Sequence, residues 1–246
     1  MLLQQEFQNH IHTFVNLVYP ARCIACGLLL VYNEDHICNN CYNKIKLLHT
    51  PLCKKCSREI ARFSTQNDIC TPCKSTVFYF KRCFSVVQYD ELTKAIFHEI
   101  KFKKRRSCIT IFKNHILSKL NALDNALFTN TIVIPVPLDR RRQKERDFNQ
   151  SEILAKYISS FFHLRHKTNM LKRIKQSIPQ SILNKKMRLH NLEGAFCVRN
   201  KTEVNQKKVL VVDDIFTTGS TVNECAKVLK QAGATEIMVF TLARTI

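Results

Sequence analysis

The sequence predicts an α/β protein in which a parallel sheet flanked by helices follows a small cysteine-rich module. Three observations predict this class. Eight cysteines form four C-x-x-C pairs within residues 23–73, and strand-like and helix-like segments alternate from residue 84 onward. Near the end, a short loop joins a β-branched run to an amphipathic one. Alternation of strands with helices favours a parallel sheet whose faces are covered by helices.

The composition bounds the class of protein. A chain of 246 residues with 45% hydrophobic content can form one or two globular domains. It has no apolar run of about 18 residues and no signal-peptide pattern, so we expect a cytoplasmic protein. Its formal net charge of +20 attracts polyanions such as nucleic acid or an anionic membrane surface. The first 20 residues predict an amphipathic helix with the apolar stripe Phe7, Ile11, Phe14, Val15 and Val18.

The cysteine pairs predict two structural zinc ions. Each C-x-x-C turn places two sulfurs on one side of a tight loop, and two turns supply four thiolates to a tetrahedral Zn²⁺ with no open position for catalysis. Sequential pairing gives two zinc ribbons and interleaved pairing gives a cross-brace; the spacing leaves both open, and we favour the sequential form. A redox role is the alternative, without a βαβ context to support it. The pairs are Cys23/Cys26, Cys38/Cys41, Cys53/Cys56 and Cys70/Cys73, and their similar intervals indicate an internal duplication.

The remaining chain predicts the elements of the sheet. Apolar runs indicate strands, and apolar positions at helical spacing indicate helices. The predicted strands are 84–89, 131–136, 209–212 and 236–242; the predicted helices are 91–102, 151–162 and the segment from Val222 to Leu229.

The loop between residues 212 and 222 predicts a sugar-phosphate site. Hydroxyl groups and free N–H groups gather at the start of a helix, where an oxyanion is favoured. The lysine of a nucleotide-binding Walker loop is missing. Two carboxylates would repel a bare phosphate, but they accept hydrogen bonds from the vicinal hydroxyls of a sugar. An N-capped helix after a buried strand is the structural alternative. The residues are Asp213, Asp214, Thr217, Thr218, Gly219, Ser220 and Thr221.

The segment VVDDIFTTGST resembles the 5-phosphoribosyl-1-pyrophosphate (PRPP) loop of type I phosphoribosyltransferases. The resemblance implies a type I phosphoribosyltransferase-like sheet in which the catalytic acids Asp213 and Asp214 hold the ribose hydroxyls. It implies that the loop after them holds the 5-phosphate, and that Mg²⁺ binds together with PRPP. It also assigns the pyrophosphate loop to Lys101, Phe102, Lys103 and Lys104.

A second resemblance extends over nearly the whole chain. The motifs at Pro135–Leu138, Arg140–Arg142 and Glu145–Gln150 are similar to the signature of the ComF family, as are a later segment and the ending. Asp147 departs from the family, which has glycine there. The later segment comprises Gln180, Leu183, Arg188, Asn191 and Gly194–Phe196, and the ending is Leu242–Arg244.

This resemblance implies domains at 1–80 (helix and double zinc ribbon) and 81–246 (phosphoribosyltransferase-like). It also implies a role in natural competence, in which single-stranded DNA is taken up into the cytosol. The expected partners are PRPP, single-stranded DNA, a DNA-translocating helicase and the inner-membrane DNA channel, with the protein cytoplasmic or peripheral at that membrane and its oligomeric state open. An active phosphoribosyltransferase with an unknown acceptor is the alternative.

Basic clusters are the predicted contacts to nucleic acid or phosphate, although each could be a solvated face. A third cluster is scattered between Lys172 and Arg188. Phe102 and Phe148 lie close to such clusters and could stack on nucleic-acid bases. We expect instead that both are core residues. The predicted contacts are Arg105, Arg106, Arg140, Arg141, Arg142, Lys144 and Arg146.

Overall fold

The computed structural model describes residues 20–31, 34–61, 68–175 and 192–246, without the side chains of Arg140 and Arg141. The chain divides into two compact units: the described residues up to Ile45 with Glu91–Phe112, and Lys46–Asp90 with Lys113–Ile246. The predicted domain boundary after residue 80 stays a prediction. Three parts of the predicted features lie outside the described residues: the N-terminal stripe, the motif residues from Gln180 to Asn191, and Lys185, Lys186 and Arg188 of the third basic cluster.

The described elements follow the predicted alternation. In the first unit, they are α1 (Asn39–Tyr42), α3 (Glu91–Phe102) and a 3₁₀ helix (Arg106–Phe112). In the second, they are α2 (Thr71–Lys74), β1 (Arg82–Gln88), α4 (Lys113–Asn121), a 3₁₀ helix (Asn125–Phe128), β2 (Thr131–Pro135), α5 (Arg140–Arg146), α6 (Gln150–Phe161), β3 (Arg165–His166), β4 (Leu171–Arg173), β5 (Phe196–Val198), β6 (Lys208–Phe216), α7 (Ser220–Gln231) and β7 (Glu236–Arg244).

A five-stranded parallel sheet forms the centre of the second unit, in the order β1-β7-β6-β2-β3, and β4 and β5 form a separate antiparallel pair. The run Val209–Val212 of β6 is fully buried, because this strand lies between two others and both α6 and α7 pack on it. Helix α6 packs on β2 and β6, helix α7 on β6 and β7, and helix α4 on β1. The predicted parallel sheet with flanking helices is confirmed.

The carboxyl ends of β2 and β6 mark the place where a ligand site is expected. The chain leaves β2 toward β3 on one side and leaves β6 toward β7 on the other, and open α/β sheets bind ligands where the direction of connection reverses. The β2–β6 ladder ends at Pro135 and Val212, whereas β6 stays paired with β7 as far as Phe216. The strand therefore continues through the acid pair, four residues beyond the predicted run, because β7 still supplies hydrogen bonds after β2 has ended.

The segment before the sheet covers the free edge of β1. The N–H of Leu48 donates to the carbonyl of Val86 (3.1 Å), the N–H of Gln88 to Lys46 (2.8 Å), and the N–H of Cys83 to Lys54 (2.8 Å). An uncovered edge strand exposes a row of unpaired backbone groups, so this cover protects the sheet from pairing with another chain. Among the described residues, no helix has the length and apolar character that crossing a bilayer requires.

Candidate metal centres and sugar-phosphate site

The eight paired cysteines form two tetrads in the sequential arrangement. Cys26 and Cys38 bring their sulfurs to 3.7 Å, and Cys56 and Cys70 bring theirs to 3.6 Å. A tetrahedral zinc with Zn–S distances of about 2.3 Å has sulfurs about 3.8 Å apart, whereas a disulfide needs about 2.05 Å. The geometry therefore fits a four-thiolate metal ion. The tetrads are Cys23, Cys26, Cys38, Cys41 and Cys53, Cys56, Cys70, Cys73, each with its sulfurs within 4.8 Å of one another.

The two tetrads are held by the same backbone hydrogen bonds. In each, the first cysteine donates to the residue five positions later, and the residue after the second cysteine donates back: Cys23 to Leu28 (2.8 Å) and Gly27 to Cys23 (2.8 Å), then Cys53 to Arg58 (2.8 Å) and Ser57 to Cys53 (2.8 Å). Gly27 and Ser57 are both left-handed, with φ of 76° and 54°. This repetition agrees with an internal duplication.

The thiols of the second tetrad compete for protons. Hydrogen bonds from Cys56 and Cys73 lower the pKa of Cys53, and hydrogen bonding to Cys53 raises the pKa of Cys73. The N–H of Cys70 also donates to the sulfur of Cys53 (3.3 Å). Four thiolates this close need a cation among them, which a divalent metal supplies. Outside the tetrads, burial raises the pKa of Cys83 to about 12, so that thiol is unreactive.

The acid pair lies at the predicted carboxyl end of β6. Oδ1 of Asp213 accepts a hydrogen bond from the Ser151 hydroxyl (3.0 Å) and another from the Asp214 N–H (2.9 Å). Ser151 is placed by Asn149, which caps α6 by accepting from the Ser151 N–H (3.1 Å) and donates from Nδ2 to the carbonyl of Val136 (2.9 Å). The first turn of α6 therefore fixes the orientation of one carboxylate.

The loop after β6 forms a rigid cradle at the start of α7. Gly219 has φ of 79°, and a Cβ there would lie 2.4 Å from the Phe216 ring, so only glycine fits. The Thr218 and Ser220 hydroxyls lie 2.6 Å apart. The buried Arg244 donates to the carbonyls of Phe216 (3.4 Å) and Thr217 (3.1 Å), with its guanidinium 5.1 Å from the Phe216 ring centre. These bonds to two consecutive carbonyls fix the loop that leads into α7.

Two arginines connect the basic helix α5 to this region. Burial lowers the pKa of Arg146, and the Asp214 carboxylate opposes that shift. Arg173 on β4 lies 3.6 Å from Asp139, which also caps α5 by accepting from the Arg142 N–H (2.9 Å). Lys144 is exposed. The side chains of Arg140 and Arg141 lie outside what the structure describes. Asp147 ends α5 with φ of 62°, the conformation for which the family's glycine is suited.

The predicted pyrophosphate loop lies at the end of α3 in the first unit. The carboxylate of Glu99 pairs with Lys103 (2.7 Å) and Arg105 (3.3 Å), so two of the local cations share one acid. Lys104 is left-handed with φ of 56°. Phe102 is 65% exposed, so the expectation of a core residue is wrong for it: its ring lies beside that of His98 (5.0 Å) on the surface of this unit. Lys101 is half-buried, with its ammonium 5.1 Å from the Phe97 ring centre, and Arg106 is exposed.

Comparisons with known proteins agree with this geometry. Residues 14–74 match the double zinc ribbon domain, and residues 152–245 match the phosphoribosyl transferase domain. The chain is 30% identical over 231 residues to competence protein F of Haemophilus influenzae, covering 91% of this chain and 96% of that one. The chain belongs to the ComF family. Other members are DNA utilization protein YhgH of Escherichia coli (30% identical; 94% and 100% covered) and competence protein ComFC of Bacillus subtilis (26%; 89% and 88%).

The sequence did not predict the contacts of Ser151, Arg173 and Arg244 in the second unit, nor those of Glu99 in the first. Ser151 orients Asp213 across 62 positions of sequence, and Arg244 holds the cradle from the end of β7. Arg173 pairs with Asp139, the residue that caps α5. Glu99 pairs with Lys103 and Arg105 at the end of α3. Arg244 and Ser151 lay within or beside the family motifs, but no local pattern indicates which distant group each one contacts.

Proposed function

We propose that this ComF-family protein binds PRPP together with Mg²⁺ and assists the handling of single-stranded DNA during natural transformation. One observation carries the proposal. Two carboxylates at the carboxyl end of β6 stand next to a glycine-hinged, hydroxyl-lined helix start, within the segment that matches the phosphoribosyl transferase domain. A ligand with vicinal hydroxyls and a phosphate satisfies both halves of this arrangement.

Each residue then has a role toward PRPP. Asp213 and Asp214 accept hydrogen bonds from the ribose hydroxyls, and Ser151 holds Asp213 in the orientation to do so. The N–H and hydroxyl groups of Thr217–Thr221 bind the 5-phosphate. The family resemblance assigns the pyrophosphate to Lys101–Lys104. Mg²⁺, when bound with PRPP, would offset the charge of that pyrophosphate.

Zinc is the metal that we propose for both tetrads, because four thiolates at tetrahedral distances suit it and the matched domain is a zinc ribbon. The metal stabilises the fold and leaves no open coordination position for chemistry.

The DNA role rests on charge and on relatives. Two relatives are competence proteins, one is a DNA utilization protein, and this chain has a formal net charge of +20. Phosphate contacts from Lys and Arg bind single strands with little sequence preference. We propose that the protein works in the cytoplasm or peripherally at the inner membrane, beside a DNA-translocating helicase and the membrane channel that delivers the strand.

An active phosphoribosyltransferase is the second candidate, because both the acid pair and the 5-phosphate cradle are intact in the described residues. In that reaction, the bond from C1 of the ribose to pyrophosphate breaks and a bond from C1 to the acceptor forms. The acceptor's proton passes to solvent or to the released pyrophosphate. Binding alone does not accelerate this step unless the transition state is bound more tightly than PRPP.

Titration calorimetry of PRPP with Mg²⁺ into the full chain tests the binding. We expect saturable binding to the wild type that Asp213→Asn with Asp214→Asn weakens at least 100-fold, because neutral amides lose the charge-assisted bonds to the ribose. Asp35→Asn, an exposed acid in the first ribbon, is the control and should bind as the wild type does. Equal affinity in the double variant would contradict the proposed site.

Pyrophosphate release separates the two candidates. The protein is incubated with PRPP, Mg²⁺ and, in turn, ammonia, a panel of bases and single-stranded DNA. We expect binding without turnover. Release with one acceptor, abolished in the double variant, would make the transferase the primary function.

A further inference from the structure

A cavity of about 410 Å³ lies at the amino-terminal edge of the parallel sheet, at the other end of the strands from the acid pair. Thr131 begins β2, Arg165 begins β3 and Lys207 precedes β6, so three strand starts form one wall. Small-molecule sites range from about 300 to 1,000 Å³, which includes this volume. Its polar and charged lining includes Asn130, Thr131, His163, Arg165, Lys167, Glu203 and Lys207.

The cavity has an excess of positive charge. Its lining has three cations, Arg165, Lys167 and Lys207, against the single carboxylate of Glu203. Lys167 pairs with Glu203, and Lys207 donates to the amide oxygen of Asn130 (3.1 Å). Among the described residues, the Arg165 guanidinium has neither an ion pair nor a hydrogen bond, and Arg165 is exposed. Glu203 offsets the charge of Lys167, so two positive charges remain. Lys207 is held in place by Asn130, and Arg165 has no partner among the described residues.

The Thr131 hydroxyl supplies a second, independent sign of a ligand. Thr131 is 4% exposed and lines the cavity, and its Oγ1 finds no hydrogen-bond partner in the part of the chain that the structure describes. A buried polar group left unpaired is costly, and a hydroxyl can donate to an anionic oxygen. A ligand that brings acceptor oxygens removes that cost.

His163 retains a side chain where glycine would be favoured. It follows the end of α6 with φ of 52°, and the N–H of Leu164 donates back to the carbonyl of Ser159 (2.8 Å), a helix-ending pattern in which this position is usually glycine. Asn130 is also left-handed, with φ of 56°. Both residues line the cavity, so two polar side chains are placed there by backbone in the unfavourable left-handed conformation.

We propose that this cavity binds a phosphate monoester of nucleotide size, at a second site separate from that for PRPP. Arg165 offers the planar fork that pairs with two phosphate oxygens, Lys207 adds a point charge, and Thr131 donates from the wall. The His163 and Asn130 side chains contact the remainder of the ligand.

Titration calorimetry with adenosine 5′-monophosphate tests the proposal, with adenosine and inorganic phosphate as comparison probes. The wild type should bind the monophosphate and bind adenosine at least tenfold more weakly. Arg165→Gln and Thr131→Val should each weaken monophosphate binding, the former at least tenfold, while Lys113→Gln, at an exposed lysine of α4 outside the cavity, should leave it unchanged. The Asp213→Asn with Asp214→Asn variant should retain it, whatever the fate of the PRPP site.

His163→Gly separates binding from folding. Removing the side chain at a left-handed position should raise the thermal midpoint while it lowers affinity for the monophosphate. Three results would overturn the proposal: adenosine binding as tightly as its monophosphate, unchanged affinity in Arg165→Gln, or loss of binding in the double aspartate variant. Capture of single-stranded DNA through Arg165, with no binding of the mononucleotide, would overturn it as well.

Discussion

The two zinc-ribbon tetrads have the same ligands and the same backbone hydrogen bonds but different surroundings. The second tetrad lies in a hydrophobic core cluster of the second unit, where Cys53 and Cys56 are 1% and 2% exposed and Phe80 and Cys83 belong to the same cluster. The first tetrad belongs to the other compact unit, and its Cys26 is exposed. The same set of four cysteines therefore occurs in two settings: one tetrad lies in the first unit, and the other is part of the core of the second unit.

A single left-handed residue shows how the second ribbon is joined to the sheet. At this position the first ribbon has Gly27, whose Cβ would meet nothing within 4 Å. The second ribbon has Ser57, whose hydroxyl donates to the carbonyl of Cys83 on β1 (2.8 Å). The second ribbon thus has a serine in the unfavourable left-handed conformation, and the side chain of this serine forms a hydrogen bond to the sheet.

The largest expected difference follows loss of a metal ligand. Cys56→Ser should prevent stable folding of the second unit, at a cost of at least about 3 kcal/mol, because the metal's binding free energy contributes to folding and this tetrad lies in the core. Cys26→Ser should lose one zinc per chain and leave the second unit's transition in place. Metal analysis with thermal unfolding by circular dichroism measures both. Equal damage from the two variants would break the comparison.

The basic segments of the two units should differ in their response to salt. Each phosphate contact adds about 0.7 to the slope of log affinity for single-stranded DNA against log salt. Replacing Arg140, Arg141 and Arg142 with Gln should therefore reduce the slope by about 1.4 to 2, because Arg142 lies 3.5 Å from the Asp139 carboxylate and contributes less than the other two. Replacing Lys103 and Arg105 should change it by less than about 1 because both already pair with Glu99. Fluorescence anisotropy at several salt concentrations measures this, and a larger effect in the first unit would reverse the assignment.

The smallest expected change in stability follows substitution of Ser57, which joins the second ribbon to β1. Ser57→Ala removes the hydrogen bond to the Cys83 carbonyl and keeps the left-handed backbone, so it should destabilise the second unit by about 1 to 2 kcal/mol. Ser57→Gly loses the same bond but relieves the backbone, and should cost less. Urea unfolding compares them. A serine introduced at Gly27 should be destabilising, because a Cβ there meets no atom within 4 Å and the substitution adds backbone strain without a compensating contact.

Sequence patterns predicted the local parts of this protein well. Helical periodicity predicted both ends of Glu91–Phe102 to the residue. Cysteine spacing predicted two four-cysteine sites but left sequential and interleaved pairing open, and the structure has the sequential pairing that we favoured. The acids, the hydroxyls and Gly219 were identified because their chemistry is local to one loop. The fold class and the cysteine tetrads were predictable for the same reason, because hydrophobic periodicity and C-x-x-C spacing are patterns between residues close in sequence.

Contacts between distant segments could not be predicted. Hydrophobic periodicity does not determine which strands are neighbours, so the attachment of the second ribbon to β1 and the reversal of connections beside β6 were missed. The same limit explains Ser151 and Arg244, whose partners lie 62 and 27 positions away. The continuation of β6 to Phe216 depended on the register with β7.

Hydrogen-exchange mass spectrometry with and without PRPP and Mg²⁺ tests the central claim most directly. We expect added protection of the backbone from Asp213 to Thr221 in the wild type, because bound phosphate and ribose occupy those N–H groups and acids. The protection should persist in Cys26→Ser and vanish in Asp213→Asn with Asp214→Asn. No protection of this loop in the wild type, or protection that survives replacement of both acids, would contradict the account.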